Sequence, residues 1–323
     1  MANTPTSSDL SGRILTDADH ILLAQLVRSG VAESWHKGVA ALMAPDGNLL
    51  EGWGKTQRLI YPRSSVKMLQ ATAVRRAGLR LTGPQLAMSS ASHSGTAAHV
   101  KLVGDILNDA GLTFDALKCP PDYPINIDAR ISAKEERCEY NNCSGKHSAF
   151  LACCAKNGWD CATYLDPKHP LQCKIIEVFE ELAGEKILHS SIDGCGAPLH
   201  MLTVEGLARA VGRIASQEQD LTSAMISNGW AVGDHGKIDC HLLDSGILAK
   251  TGAEGVFVVG LRSGHGLCIK IADGSLRAAA AIAVCILAKH HLVTEADAAR
   301  LRELVSPTVT GGGAVMGHLE VLV

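Results

Sequence analysis

The chain has 323 residues, 46% of them apolar and 20% charged, with a formal net charge of -3. A packed globular core is expected at that composition, and the lack of a basic excess excludes an electrostatic footprint for nucleic acid. No apolar run reaches the ~18 residues of a membrane span.

The N-terminus, "MANTPTSSDLSGR", is small and polar. It has neither the basic start nor the apolar run of a secretory signal. It reads as a disordered tail over residues 1–18, ahead of one domain over 19–323. Ile21 to Val27 is a short segment compatible with helix or strand. "GVAALMAPDGNLLEGWG" reads as two strands around Pro45-Asp46-Gly47, a strong turn signal. "SSVKMLQATAVRRAGL" carries Val66, Leu69, Ala73 and Val74 on one face, so a helix is predicted from near Ser64 to Gly78. "LAMSSASHSG" reads as a short apolar strand that ends in a Ser/His/Gly loop. "TAAHVKLVGDILNDAG" is the next helix, with Val100, Val103, Ile106 and Leu107 inward.

Residues 111–145 look irregular and contain Pro120, Pro121 and Pro124. "KHSAFLACCAKNG" and "PLQCKIIEVFEELAG" look helical, and "SSIDGCGAPLH" is a tight turn region. "TVEGLARAVGRIAS" is a helix with Thr203 as its cap and Glu205 in its first turn. "GVFVVGL" and "GLCIKIADG" are strands joined by Arg262-Ser263-Gly264-His265. "SLRAAAAIAVCILAKHH" is a long buried helix. There is no internal repeat. Strands first, helices in the middle, then a hairpin and a helix suggest an α+β fold. An antiparallel sheet from both chain ends is expected, flanked by helices, with a mostly helical subdomain in the middle.

Ser64 and Lys67 stand three apart at a helix start, so they share a face. A serine is a weak nucleophile and needs a base. Burial or a neighbouring cation can make lysine that base. Alone, Ser-x-x-Lys is weak, with roughly one chance match in a chain of this length, and its plain reading is a capping serine beside a solvated lysine. Two further pieces add weight. Ser92-His93-Ser94 follows the first helix, and Lys250-Thr251-Gly252 precedes the "GVFVVGL" strand. Penicillin-binding proteins and class A β-lactamases use Ser-x-x-Lys, Ser-x-Asn and Lys-Thr-Gly in that order. Here the middle element departs at its last residue. Lys-Thr-Gly is by itself also ordinary loop chemistry.

A second cluster is "NNCSGKH" with "DGCG". Cys143 and Lys146 repeat the spacing of Ser64 and Lys67, and Cys195 lies in a glycine-rich turn beside Asp193. Thiolates are zinc ligands, but no Cys-x-x-Cys pair is present, and spacing alone does not support a metal. Cys153 and Lys156 share the spacing inside an ordinary helix. His93, His147 and His265 are possible participants, although a lone loop histidine is more often structural. The eleven cysteines are scattered and odd in number, which favours a reducing, cytoplasmic setting. No phosphate-binding glycine loop is present, and "TGGG" lacks the lysine and helix it would need. With four each of Trp, Tyr and Phe, no base-stacking surface is expected.

Taken together, "YPRSSVKMLQ", "ASHSG", "NNCSGKH", "DGCGAP", "LAKTGAEGVFVVG" and "IKIADG" resemble the Rhizobium etli-type, or class 3, L-asparaginases of the asparaginase II family. The resemblance runs from about Gly38 to Leu287, and "CSGKH" followed by "DGCG" is its most specific part. It implies a serine-β-lactamase-like fold and hydrolysis of L-asparagine to L-aspartate and ammonia. It implies two serine–lysine tandems, Ser64 with Lys67 and Ser92 with Lys250. It further implies zinc held by Cys143, Lys146 and Cys195, and a pocket formed with Arg63, His93 and Asp193. A homodimer is implied as well. Ser65 stands beside Ser64, and the spacing to Lys67 favours Ser64 as nucleophile. The stretch 228–249 is shorter than in bacterial members. Two other readings stand beside this one. One is another serine hydrolase on the same scaffold, such as a glutaminase, an esterase or a penicillin-recognising protein. The other is a silent binding protein that keeps the pocket and the zinc.

Overall fold

The computed structural model describes Leu10 and residues 12–323. Seven strands lie side by side in one sheet, in the order Val309–Gly311, Ala314–Val321, Ile21–Arg28, Val31–Met43, Gly266–Ile271, Val256–Gly260, Leu248–Gly252. Leu49–Trp53 pairs with the end of Val31–Met43 as an eighth strand. Every pairing in this sheet is antiparallel. Both ends of the chain supply the sheet, and the stretch between them is mainly helical. The architecture is therefore the α+β arrangement that the element order predicts.

The strands sort their residues by a period of two. Val39, Ala41 and Met43 join Val256, Val258 and Cys268 in one core, under the helices Lys67–Arg76, Ser144–Asn157, Pro170–Ala183 and Val204–Gln217. Ala40 and Leu42 join Phe257, Val259 and Ile269 in the other, under Ala279–Lys289 and Glu295–Val305. Leu42, Phe257 and Ile269 are fully buried, each worth about 1.5–3 kcal/mol of transfer free energy.

Local signals explain most boundaries. Gly47 takes φ 85° in the Pro45-Asp46-Gly47 turn, and the Ala44 N–H donates to Asn48 O at 2.8 Å. A second hairpin closes through Ser29 and Gly30, at φ 47° and 82°. Such a two-residue turn needs positive φ, and it carries the strand expected from Gly38 back to Val31. Thr203 caps its helix by accepting the Gly206 N–H at 2.8 Å.

Three expectations need correction. The strand expected at Leu86 is a helix, Gly83–Met88, with Thr82 at its N-cap position and Pro84 in its first turn. Its apolar run is too short for periodicity to separate the two states. Lys250-Thr251-Gly252 is part of the edge strand Leu248–Gly252 and pairs with Val256–Val258. The tail expected over residues 1–18 lies partly outside the described residues, but its later part is packed. Leu10 is buried, Ile14 bridges Leu59, and the Leu15 N–H donates to Leu59 O at 3.1 Å.

Two glycines let elements meet where the site forms. A Cβ on Gly252 would stand 2.6 Å from Pro62 O, so the edge strand can press on the turn that carries Ser64. A Cβ on Gly145 would stand 2.6 Å from Met88 O and 2.3 Å from its sulfur. Overpacking of this kind costs about 1–3 kcal/mol. Gly145→Ala is therefore expected to lower the thermal midpoint by several degrees in a calorimetric scan, and an unchanged midpoint would show that the Gly83–Met88 helix yields without cost.

Candidate active site

Arg63–Val66 forms a 3-10 turn that feeds the helix Lys67–Arg76. Arg63 sits in the left-handed region at φ 53°, a conformation that costs a non-glycine residue of order 1–3 kcal/mol. Its side chain is anchored: Nε donates to Asp193 Oδ1 at 2.8 Å, and Nη1 lies 3.8 Å from Glu254 Oε1. Ser65 is fully buried, and its hydroxyl donates to Pro62 O at 2.7 Å, closing the turn. Ser64 is half-buried, and its hydroxyl makes no hydrogen bond among the described residues. Of the two adjacent serines, the one free to react is Ser64.

Lys67 is buried beneath this turn. Its Nζ donates to Ala91 O at 2.6 Å and to Ser92 Oγ at 3.0 Å, the two bonds a neutral amine can supply, and lies 3.5 Å from Asn142 O. All three oxygens are uncharged. Burial pushes its pKa below the usual lysine value, and the nearby Lys146 and Lys250 push in the same direction, against the Cys143 and Cys195 sulfurs. Lys250 approaches from the sheet edge. It shares a face with Leu248 and points to the helical layer, and its Nζ donates to Ser92 Oγ at 3.1 Å. Ser92 Oγ therefore accepts from two lysines at once. With both lone pairs engaged, its own proton must point elsewhere. No hydrogen bond joins Ser64 to Lys67 or Ser92. Lys67, Ser92 and Lys250 form one hydrogen-bonded cluster with Ser92 as its hub, and Ser64 stands on the turn three residues before Lys67.

The second cluster touches the first. Cys143, Lys146 and His147 lie at i, i+3 and i+4 around the start of the helix Ser144–Asn157, one above the other. Cys195 comes from the tip of the hairpin Ser190–Ile192/Pro198–His200, held by Asp193 N–H to Ala197 O at 2.9 Å and Gly196 N–H to Asp193 O at 2.8 Å. Lys146 Nζ lies 3.1 Å from Cys195 Sγ, and both groups are buried. Contact with Cys143 holds the Cys195 thiol well below its usual pKa despite burial, with help from Lys146 and His147. The same contact, together with burial, pushes Cys143 up. Cys143 has one proton and two acceptors in reach, the Cys195 sulfur and Asn142 Oδ1 at 2.9 Å. Burial alone would lower Lys146, but the two sulfurs outweigh it and raise it.

His147 completes this corner. Burial pushes it down to about 4. Its Nδ1 bonds the Tyr164 hydroxyl at 2.7 Å, that hydroxyl also accepts the Lys118 N–H at 3.0 Å, and the buried Nε2 has no hydrogen-bond partner among the described residues. Among the described residues no three His, Cys, Asp or Glu side chains gather into a metal cluster. The set here has two thiols and a lysine in place of a third such group. All eleven cysteines are free.

His93 is not brought into the polar centre. The Gly95 N–H donates to its Nδ1 at 3.1 Å, so Nε2 carries the proton and donates to Ser144 Oγ at 2.8 Å. Burial pushes its pKa well down, and the stacked His99 adds to this. It is a neutral strut beside the Ser144 helix start. His265 lies in the far hairpin beside Ser263 and takes no part.

Asp239 is the residue that sequence reasoning missed. It is buried in the short helix Ile238–Leu243, with Oδ2 3.4 Å from Lys250 Nζ and 2.8 Å from Thr251 Oγ1. Its only sequence signal is its place in the stretch 228–249. A groove of about 710 Å³ reaches the site at Arg63, Asp193 and Gly194, with Tyr61, His189 and Glu254 along it.

A serine three residues before a buried lysine, and a second serine bridging that lysine to another, make up a serine–lysine cluster beside the groove. The chain belongs to the L-asparaginase II family, whose model matches residues 24–321. That family places it among hydrolases that act on amides. No curated protein sequence matches the chain. Among solved structures it is similar to a β-lactamase from Mycobacterium bovis, at 16% identity over 88% of this chain and 99% of that one, with a TM-score of 0.46. Another similar structure is Mglu in its native form, at 15% identity over 79% of this chain and 65% of that one, TM-score 0.42. A Bacillus glutaminase follows at 13% identity over 73% and 83%, TM-score 0.38. Among the described residues no helix is long and apolar enough to cross a membrane.

Proposed function

We propose that this chain is an L-asparaginase of the Rhizobium etli type, converting L-asparagine to L-aspartate and ammonia through a serine acyl-enzyme. The observation that carries the reading is Ser92 Oγ, bonded to Lys67 and Lys250 together, with the free Ser64 hydroxyl three residues before Lys67. Ser64 Oγ attacks the side-chain amide carbon and passes its proton to neutral Lys67. In unliganded enzymes the nucleophile–base contact is often open and closes with substrate in place. N–H groups of the first turn stand at the developing oxyanion. The Ser92 hydroxyl protonates the departing nitrogen and is reprotonated from the lysines on either side, so the proton count closes when the C–N bond breaks and ammonia leaves. Water then attacks the aspartyl ester by the reverse route. At the pocket mouth, Arg63 offers a cation to the substrate's α-carboxylate, and Asp193 and Glu254 offer anions to its α-ammonium. The test is ammonia release from L-asparagine and L-glutamine side by side. Turnover of glutamine alone would make the protein a glutaminase, and turnover of neither would overturn the reading.

The residues also fit a zinc ion. Cys143, Lys146 and Cys195 converge, the Cys195 thiol is held well below its usual pKa, and the buried His147 Nε2 beside Cys195 lacks a hydrogen-bond partner among the described residues. Those three residues would hold the metal, and when bound it would supply a Lewis acid at the pocket. Ligands must shed protons to bind, so affinity for added zinc should rise with pH. Competition with a chromophoric chelator reads this directly. Cys195→Ala should weaken binding at least about tenfold, as losing even an outer-shell partner does, and unaltered affinity would remove zinc from this site.

A further inference from the structure

Three lysines are buried side by side: Lys67, Lys146 and Lys250, at 1%, 2% and 0% exposure. An unpaired buried charge is costly. Lys146 has the Cys195 sulfur at 3.1 Å and Lys250 has the Asp239 carboxylate at 3.4 Å. Lys67 meets a hydroxyl and two carbonyls, with no anion bonded to it. The partners are thus distributed unequally between the two lysines that share Ser92.

We propose that Asp239 is the positioning residue that divides labour between them, holding Lys250 as the ammonium that supplies the leaving-group proton and leaving Lys67 as the neutral base. The assignment rests on the acyl-transfer reading above. Asp239 is built in from several sides. Its Oδ2 accepts from Lys250 Nζ, from Thr251 Oγ1 at 2.8 Å and from Thr251 N–H at 3.3 Å. Those bonds and Lys250 keep it an ionised carboxylate although burial opposes this. The charged and titratable groups that act on the pair among the described residues are Lys67 from the first helix and Cys240 on the same short helix. The segment before Asp239 also carries Ser92. The Ser92 N–H donates to Val232 O at 2.7 Å, the Ser94 N–H donates to Gly233 O at 3.0 Å, and a Cβ on Gly233 would meet Asp239 Oδ1 at 3.4 Å. Asp239, Lys250 and Ser92 are therefore tied to one another through bonds and through one segment of backbone.

In the step itself, Lys67 takes the Ser64 proton as the Ser64–carbon bond forms. When the C–N bond breaks, Ser92 gives its proton to the nitrogen and takes one from Lys250. The proton held by Lys67 then returns through Ser92 to Lys250, and both lysines regain their starting states. An amide needs that donated proton, whereas an aryl ester leaves as a phenolate and does not.

The experiment compares L-asparagine with an aryl ester of aspartate's side-chain carboxyl, using wild type, Asp239→Asn and Asp239→Glu. In Asp239→Asn, kcat/KM for the amide should fall about 100-fold or more, the scale of a lost general acid, with a far smaller fall for the ester. Asp239→Glu, which keeps the charge, should restore most of the amide-to-ester ratio. A folded Asp239→Asn protein that slows both substrates equally, or neither, overturns the proposal alone. A wild type that cleaves the ester but not L-asparagine overturns the amidase reading and this proposal with it.

Discussion

Ser64→Ala is expected to lower ammonia release from L-asparagine by about 10⁴-fold or more, as loss of the nucleophile does where catalytic groups act as a unit. The geometry makes the comparison clean. Ser64 Oγ makes no hydrogen bond among the described residues, so its removal breaks none there. Ser65 does close the turn, through its bond to Pro62 O. Ser65→Ala should therefore lower stability by about 1 kcal/mol and leave a working nucleophile. The two variants separate position 64 from position 65 by opposite signatures, one in turnover and one in thermal midpoint. Equal turnover in wild type and Ser64→Ala would move the nucleophile to Ser92, whose hydroxyl already contacts both lysines.

Much of this was legible in the chain, for reasons particular to each residue. Ser64 and Lys67 were found because three-residue spacing has a fixed meaning on a helical turn, and Cys143 with Lys146 for the same reason. Lys250 was found through Lys-Thr-Gly, although the motif lies in a strand: Gly252 is there because any Cβ would strike Pro62 O. The sheet followed from the strand runs near both chain ends and from the Pro45-Asp46-Gly47 turn. What escaped notice depends on tertiary approach. Asp239 stands eleven residues before Lys250, and only the packing of a short helix on the sheet edge makes them partners. His93 read as a possible participant or a structural loop histidine, and only the fold shows a backbone N–H and Ser144 taking both its ring nitrogens. Leu86 to Met88 offered three apolar residues, which fit either state until Thr82 and Pro84 are read as a helix start.

Lys67→Met is expected to reduce kcat/KM for L-asparagine by about 10²–10⁴-fold, the usual weight of a general base. Methionine fills nearly the same volume, so the loss reports chemistry more than packing. The wild type should show its own signature, because the base must be neutral to act. Its kcat/KM should rise with pH through the Lys67 pKa and level off below the ordinary lysine value of about 10.4, since burial and the neighbouring lysines hold that pKa down. Stability carries the same sign. Between the lowered folded pKa and the ordinary unfolded one, the unfolded chain binds a proton that the folded chain does not. Wild-type stability therefore rises with pH across that window. The variant lacks this contribution, so the stability of wild type relative to Lys67→Met should climb with pH there and be flat below it. Denaturant melts at a series of pH values measure the difference, which cancels every other titrating group the two proteins share. A difference independent of pH would mean that Lys67 keeps its proton when folded, and the base would then have to be Lys250.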